Sequence, residues 1–206
     1  MVAAPQSRDD TKAAFILAGI ALAEGAWCYA NVSVGPRRFF ERTGFVNAHV
    51  PVGGWILAVI VFVAFTESAC RLPSVRANLF RPSWLKLLGI IVAVTAAFCE
   101  ESIFRRVLMN SVGAAGYGPA VQIAASALAF GAIHGVWGAF RGSVTAAAGA
   151  TVATGLLGAA LAGVYLESAR VLAPCVICHF LINALAEPGL VLAAVRGEMS
   201  RARAGR

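Results

Sequence analysis

Long apolar runs dominate the chain, and short stretches rich in arginine, glycine and proline separate them. Six apolar segments can be drawn, near residues 13–30, 50–70, 86–109, 119–140, 144–166 and 171–195. Crossing a bilayer takes about 20 residues of helix. The pattern therefore predicts an all-α fold, a polytopic membrane helix bundle with about six transmembrane helices.

The composition agrees with this pattern. The 206 residues are 59% hydrophobic and only 13% charged, whereas a soluble domain carries about a quarter charged residues. Glu24 interrupts the first segment, and this favours a retained helix over a cleaved signal peptide. Aromatic residues stand near the segment ends, as interfacial anchors do: Trp55, Trp84, Tyr117, Trp137 and Tyr165.

The basic residues indicate orientation and partners. The net charge is +7, and most of the basic residues lie between apolar runs. This distribution indicates contact with a lipid bilayer and not with nucleic acid. If the N-terminus is inside, the outer loops hold only Arg37, Arg38, Arg42 and Arg170. The inner stretches hold Arg8, Lys12, Arg71, Arg76, Arg81, Lys86, Arg141, Arg196, Arg201, Arg203 and Arg206. Both termini are therefore expected in the cytoplasm, and the arginine-rich, lysine-poor composition suggests a bacterial plasma membrane.

Four charges end the third segment, in the stretch FCEESIFRRV, residues 98–107. Charged side chains inside a spanning helix are costly, and they indicate function by default. Glu101 and Arg105 are four residues apart, so both lie on one helix face and can form an ion pair. The adjacent Glu100 remains available for chemistry.

Two further pairs have the same spacing of four: Phe130 with His134, and His179 with Asn183. The third and fourth segments form a hairpin about residue 115, with Glu100 fifteen residues before that centre and His134 nineteen after it. At about 1.5 Å of rise per residue, their depths differ by only about 6 Å. Three packed helices can therefore bring Glu100, His134, His179 and Asn183 into one layer.

The stretches EESIFR, FGAIH and HFLIN resemble the three motifs of the CAAX-protease and bacteriocin-processing (CPBP) intramembrane proteases, EExxxR, FxxxH and HxxxN. The three stretches occur in that order, on separate apolar segments. Arg106 stands where many members have glycine. The resemblance implies an intramembrane endopeptidase that acts on a membrane-embedded protein or peptide.

The residues themselves suit peptide hydrolysis, and the resemblance implies the same roles. Glu100, with His134, could hold a water molecule and take its proton. His179 and Asn183 could donate hydrogen bonds to the oxyanion. Glu101 and Arg105 are then an orienting ion pair, and Phe130 shapes the site.

Three alternatives stay open. Two histidines and a glutamate can form a catalytic zinc site, although a mechanism without metal or other cofactor is the first expectation. The stretch CVICH, residues 175–179, matches the C-x-x-C-H signature of haem attachment. A small transporter or immunity-type membrane protein could also use buried charges, but a proton path would align carboxylates along the membrane normal.

The chain is expected to divide into three parts. Residues 1–85 form a variable N-terminal part with two transmembrane helices, residues 86–195 form the CPBP-like catalytic bundle, and residues 196–206 form a basic cytoplasmic tail. In the fifth segment, small side chains recur every four residues, which predicts close helix packing: Ala147, Thr151, Gly155, Ala159 and Gly163.

Overall fold

The computed structural model describes residues 8–141 and 143–201. The helices are α1 (Arg8–Ser33), α2 (Pro36–Thr43), α3 (Val52–Ala69), α4 (Pro73–Asn78), α5 (Trp84–Glu101), α6 (Asn110–Ala114), α7 (Pro119–His134), α8 (Val144–Glu167), α9 (Ala173–Ala186), α10 (Gly189–Arg196) and α11 (Glu198–Arg201). A π-helix, Ser102–Met109, joins α5 to α6, and a 3₁₀-helix, Gly135–Arg141, follows α7. No strand occurs within the described ranges.

Five of these helices are long and apolar enough to cross a membrane: Arg8–Ser33, Val52–Ala69, Trp84–Ala114, Pro119–Gly138 and Val144–Glu167. A sixth crossing is possible if α9 and α10, which meet at a bend of 56°, act as one span. The predicted all-α membrane bundle is confirmed. The short helices α2 and α4 lie between the predicted apolar segments.

Local sequence signals set where the spans begin. The Ser83 side chain accepts a hydrogen bond from the Lys86 backbone N–H at 3.1 Å and caps α5. Ser143 caps α8 in the same way. Pro119 opens α7 from the first turn, where its missing N–H leaves no hydrogen bond unmade.

The third span is longer than predicted, running over Trp84–Ala114 instead of 86–109, and its middle is not α-helical. The chain changes to a π-helix directly after Glu101. A π-helix bonds residue i to residue i+5, is rare, and occurs most often at functional sites. The turn predicted near residue 115 follows α6, where Gly116 adopts a positive φ of 89°.

The sixth apolar segment, near 171–195, is a bent pair of helices and not one continuous helix. It breaks between α9 and α10, because Pro188 has no N–H to continue the helix and Glu187 before it is extended, with ψ of 145°. Lys86 donates to the freed carbonyl groups of Leu185 and Glu187 at 2.7 and 2.8 Å. Buried backbone carbonyls at the break are thereby satisfied.

The middle of the predicted ridge on α8, Thr151 and Gly155, packs against Gly131 of α7, whereas Gly163 faces Leu57 on α3. A Cβ atom added to Gly131 would lie 2.5 Å from the Thr151 carbonyl oxygen and 3.1 Å from the Gly155 Cα. Only glycine allows this approach of two backbones, and such contacts are how helices associate within lipid. Helices α7 and α8 are therefore closely packed against each other.

The two ends of the described chain lie together. Helix α1 packs against α5 and α10, and Arg196 on α10 lies 3.6 Å from Asp9 and 3.7 Å from Asp10 at the start of α1. The predicted basic tail, 196–206, begins in these last helices, and residues 202–206 lie outside the described part. The division into parts 1–85, 86–195 and 196–206 stays a prediction.

Candidate active site

Glu100, His134, His179 and Asn183 all line one cavity of about 310 Å³ inside the bundle. The Glu100 Oε1 atom lies 4.0 Å from the His134 Nε2 atom, and Glu100 Oε2 lies 3.7 Å from His179 Nε2. Three separate helices, α5, α7 and α9, supply these groups. The two distances are longer than direct hydrogen bonds, and gaps of this size are ones that a water molecule can bridge.

Both imidazole rings are oriented by the bond that their Nδ1 atom makes. His134 Nδ1 lies 2.8 Å from the Phe130 carbonyl oxygen. Because a carbonyl only accepts, Nδ1 carries the proton and Nε2 is left as an acceptor. His179 Nδ1 lies 2.8 Å from Glu101 Oε1. In each ring, Nε2 is the nitrogen that approaches Glu100.

The predicted Glu101–Arg105 pair is present and fully buried. Arg105 Nε lies 3.1 Å from Glu101 Oε2, and both side chains are 0% exposed. Arg105 Nη2 also donates to the Gly158 carbonyl on α8 at 3.3 Å. The contact of Glu101 with His179 was not predicted, because the spacing of residues along the sequence indicates contacts within one helix and not between α5 and α9.

Phe130 packs between the charged and the imidazole groups. Its ring centroid lies 4.7 Å from the Arg105 guanidinium carbon, 4.5 Å from the His134 ring and 5.9 Å from the His179 ring. A cation over an aromatic face is stabilised by the ring quadrupole. Phe130 is only 1% exposed, so it fixes the spacing of the three side chains around it.

Asn183 lies one helical turn after His179 and faces the same cavity. The cysteines of the CVICH stretch face elsewhere. Cys175 Sγ contacts the Leu161 carbonyl at 3.4 Å, and Cys178 Sγ contacts the Ala58 carbonyl at 3.3 Å. Cys175 lies one turn before His179 and packs against α8, and Cys178 packs against α3; neither cysteine lines the cavity.

The sequence analysis assigned no role to Glu24, and the structure places it at this cavity. Glu24 lines the cavity from α1, accepts a hydrogen bond from Thr95 Oγ1 at 3.2 Å, and lies within hydrogen-bonding reach of Glu100. The sequence does indicate a role for Glu24, because a carboxyl group inside an apolar span marks a functional residue by default. Glu67, an acidic residue near the end of α3, is exposed.

Zinc requires at least three ligands within about 2.0–2.2 Å of one point. Within the described ranges, no group of three His, Cys, Asp or Glu side chains is arranged to hold a metal ion. His134, His179 and Glu100 are the donors nearest to such a set, and their separations of 3.7 and 4.0 Å are wide for it.

The fold and the cavity define an integral membrane protein with carboxyl and imidazole groups gathered inside a helix bundle. The chain belongs to the Rce1-like family of type II CAAX prenyl endopeptidases, whose family model matches residues 82–185. Membership implies a protease that acts on membrane-anchored proteins in a membrane. No curated protein and no solved structure matches the chain.

Proposed function

We propose that this protein hydrolyses a peptide bond of a membrane-anchored protein or peptide with a water molecule activated by Glu100 and His134. The observation that carries the proposal is the position of Glu100, whose two carboxylate oxygens face two imidazole Nε2 atoms at 3.7 and 4.0 Å in the cavity. Family membership supports the reaction class.

The residues suit each step of a metal-free hydrolysis. Glu100 takes one proton from the bound water while the water oxygen attacks the scissile carbonyl carbon. The oxyanion that forms accepts hydrogen bonds from the Asn183 side-chain amide and from His179 Nε2–H. The second bond requires the imidazolium form of His179, because its Nδ1 proton is held by Glu101. Glu100 then gives its proton to the leaving amine, the C–N bond breaks, and a carboxylic acid and an amine are released.

The buried groups around this centre serve as supports. Arg105 pairs with one oxygen of Glu101, and the other oxygen of Glu101 holds the Nδ1 proton of His179. This chain fixes the ring direction before substrate arrives, as second-shell carboxylates do for catalytic histidines. Phe130 holds His134 through its carbonyl and packs against both rings.

The test is a comparison of membrane proteomes from cells that carry wild type or Glu100→Gln. The variant keeps the side-chain shape but cannot take a proton, so turnover should fall by about 10²–10⁴-fold and an uncleaved substrate should accumulate. Glu67→Gln is the matched control, because this carboxyl group is exposed on α3. Normal cleavage by Glu100→Gln at normal expression would refute the assignment.

Elemental analysis of the purified protein separates the metal-free mechanism from the zinc alternative. Stoichiometric zinc that is lost in His134→Ala and His179→Ala, together with inhibition by strong chelators, would replace the glutamate mechanism while leaving a protease. A Soret band that survives denaturation would support haem attachment. Transport is not favoured, because family membership implies a protease.

We also propose that both termini lie in the cytoplasm of a bacterial cell. The contacts of Arg196 with Asp9 and Asp10 support the placement of both described ends on one side, and the arginine asymmetry between loops selects the inner side. Reporter proteins fused to either terminus should both be active in the cytoplasm. Activity of either one outside would refute this orientation.

A further inference from the structure

Glu24 lies within an otherwise apolar spanning helix, α1, and its side chain lines the cavity beside Glu100. The two carboxyl groups are within hydrogen-bonding reach of each other. Residue 24 precedes the matched family region, 82–185, so family membership assigns it nothing. An ionisable group at this depth needs a physical explanation.

Contacts with Thr95 fix the height of Glu24 in the bundle. Thr95 Oγ1 bonds the Glu24 carboxyl group at 3.2 Å, and the Cys28 thiol bonds the Thr95 carbonyl at 3.6 Å. Between them, Gly25 faces the same threonine, and a Cβ atom there would make an ordinary contact of 3.9 Å with Thr95 Cγ2. Glu24 is therefore held against α5 about one turn before Glu100.

Charge balance in the site requires a proton on one of these carboxyl groups. Three carboxyl groups, those of Glu24, Glu100 and Glu101, stand against at most two cations: the Arg105 guanidinium group, which pairs with Glu101, and a His179 imidazolium, which lies between Glu100 and Glu101. Glu24 takes part in none of the ion pairs found among the described residues. Two carboxyl groups in contact and away from water cannot both be ionised, because like charges repel strongly there.

The Thr95 hydroxyl group cannot remove this requirement. It has one proton, and the carbonyl oxygens of Ile91 and Val92 lie 3.2 Å from it, the same distance as Glu24 Oε2. A proton divided among three acceptors leaves the charge of Glu24 uncompensated. The remaining partner is Glu100.

We propose that Glu24 is a positioning residue of this centre, whose carboxyl group shares one proton with that of Glu100. The hydrogen bond holds the Glu100 carboxylate toward His134 and His179. The shared proton follows from the contact and the charge balance alone. Only its role in hydrolysis rests on the function proposed above.

Infrared spectroscopy of the purified protein in lipid vesicles tests the shared proton without a substrate. A protonated carboxyl group absorbs separately from carboxylates, and its band shifts on exchange into D₂O. Wild type should show such a band, and both Glu24→Gln and Glu100→Gln should remove or shift it. Glu67→Gln, which changes an exposed carboxyl group, should leave it unchanged. Absence of the band in wild type, or a band that neither site variant changes, overturns the proposal.

Turnover of the substrate that accumulates in Glu100→Gln cells tests the positioning role. Glu24→Gln keeps a donor for Glu100 in its amide N–H, whereas Glu24→Leu removes it and stays apolar. We expect kcat of the leucine variant to fall by about 10–100-fold, as for other groups that orient a site, with KM unchanged. The glutamine variant should stay within a few-fold of wild type.

The two variants also separate this role from a structural one. Equal kcat in Glu24→Leu and wild type, or equal losses in the leucine and glutamine variants, would overturn the positioning role. If wild type cleaves nothing, the proposed function fails, but the infrared band still decides whether the proton is shared.

Discussion

Arg105→Ala is the substitution for which the structure gives the sharpest expectation. It removes the charge partner of Glu101, whose side chain is 0% exposed, and the donor to the Gly158 carbonyl. Breaking a buried ion pair by removing one partner costs about 3–5 kcal/mol, mostly because the remaining charge is left uncompensated. The free energy of unfolding should fall by that amount.

The chain offers a control with the same residue types and the same spacing. Arg37 and Glu41 are also four residues apart and lie 2.9 Å from each other, but Arg37 is 83% exposed. Exposed pairs of this spacing contribute about 0.3–0.5 kcal/mol. Arg37→Ala should therefore change stability by no more than this, so that burial is the difference between the two experiments.

The assay is reversible unfolding in mixed micelles with increasing dodecyl sulfate, followed by the fluorescence of the four tryptophans. The double variant Glu101→Gln with Arg105→Met removes both charges and should recover most of the loss. If Arg105→Ala loses no more stability than Arg37→Ala, then Arg105 is solvated in the native protein and the buried pair does not exist.

Two further substitutions test the site and the scaffold. Asn183→Ala should lower turnover by about 10²–10³-fold with little change in substrate binding, as for loss of one oxyanion donor, while Cys178→Ala stays near wild type; equal activity of both would remove Asn183 from the mechanism. Gly131→Ala should destabilise the protein by about 1–3 kcal/mol through overpacking, because its Cβ atom would lie 2.5 Å from the Thr151 carbonyl oxygen. A Cβ atom at Gly149 would have no atom within 4 Å, so Gly149→Ala should cost no stability. Thermal melts in which Gly149→Ala is less stable than Gly131→Ala would contradict the α7–α8 contact.

The common depth of Glu100 and His134 was predictable from the sequence. The rise of a helix per residue is fixed, so counting residues from a hairpin turn gives depth within a turn or so. The pairing of Glu101 with Arg105 was predictable for the same reason, since spacing determines which side chains share a helix face. Each of these two predictions uses only the geometry of a single helix or a single hairpin.

The features that were missed depend on which helices are neighbours. Glu24 reaches Glu100 because α1 packs on α5, and Glu101 reaches His179 because α9 also packs on α5. Every apolar segment enters lipid in the same way, so hydropathy does not show which helices are neighbours in the bundle. The break before α10 was predictable from the sequence, because Pro188 cannot donate the backbone hydrogen bond that a continuous helix requires.

The charged end of the third span has a consequence for how the protein is made. Residues 85–99 carry one charge, Lys86, and can enter the bilayer readily, whereas each charge at the centre of a span costs about 2.5–3.5 kcal/mol on insertion scales. The groups that compensate Arg105 and Glu101 include the Gly158 carbonyl on α8 and His179 on α9. Both partners are synthesised later than the span itself.

Until its last spans arrive, the nascent chain has only the Glu101–Arg105 pair to balance these charges, so we expect this end of the helix to stay close to the headgroups until then. His179 and Asn183 also arrive with α9. Glu100 consequently has no complete set of neighbours until synthesis is nearly finished. A truncated chain that stops before residue 173 would be inserted yet inert, so hydrolytic capacity and completed membrane assembly begin together.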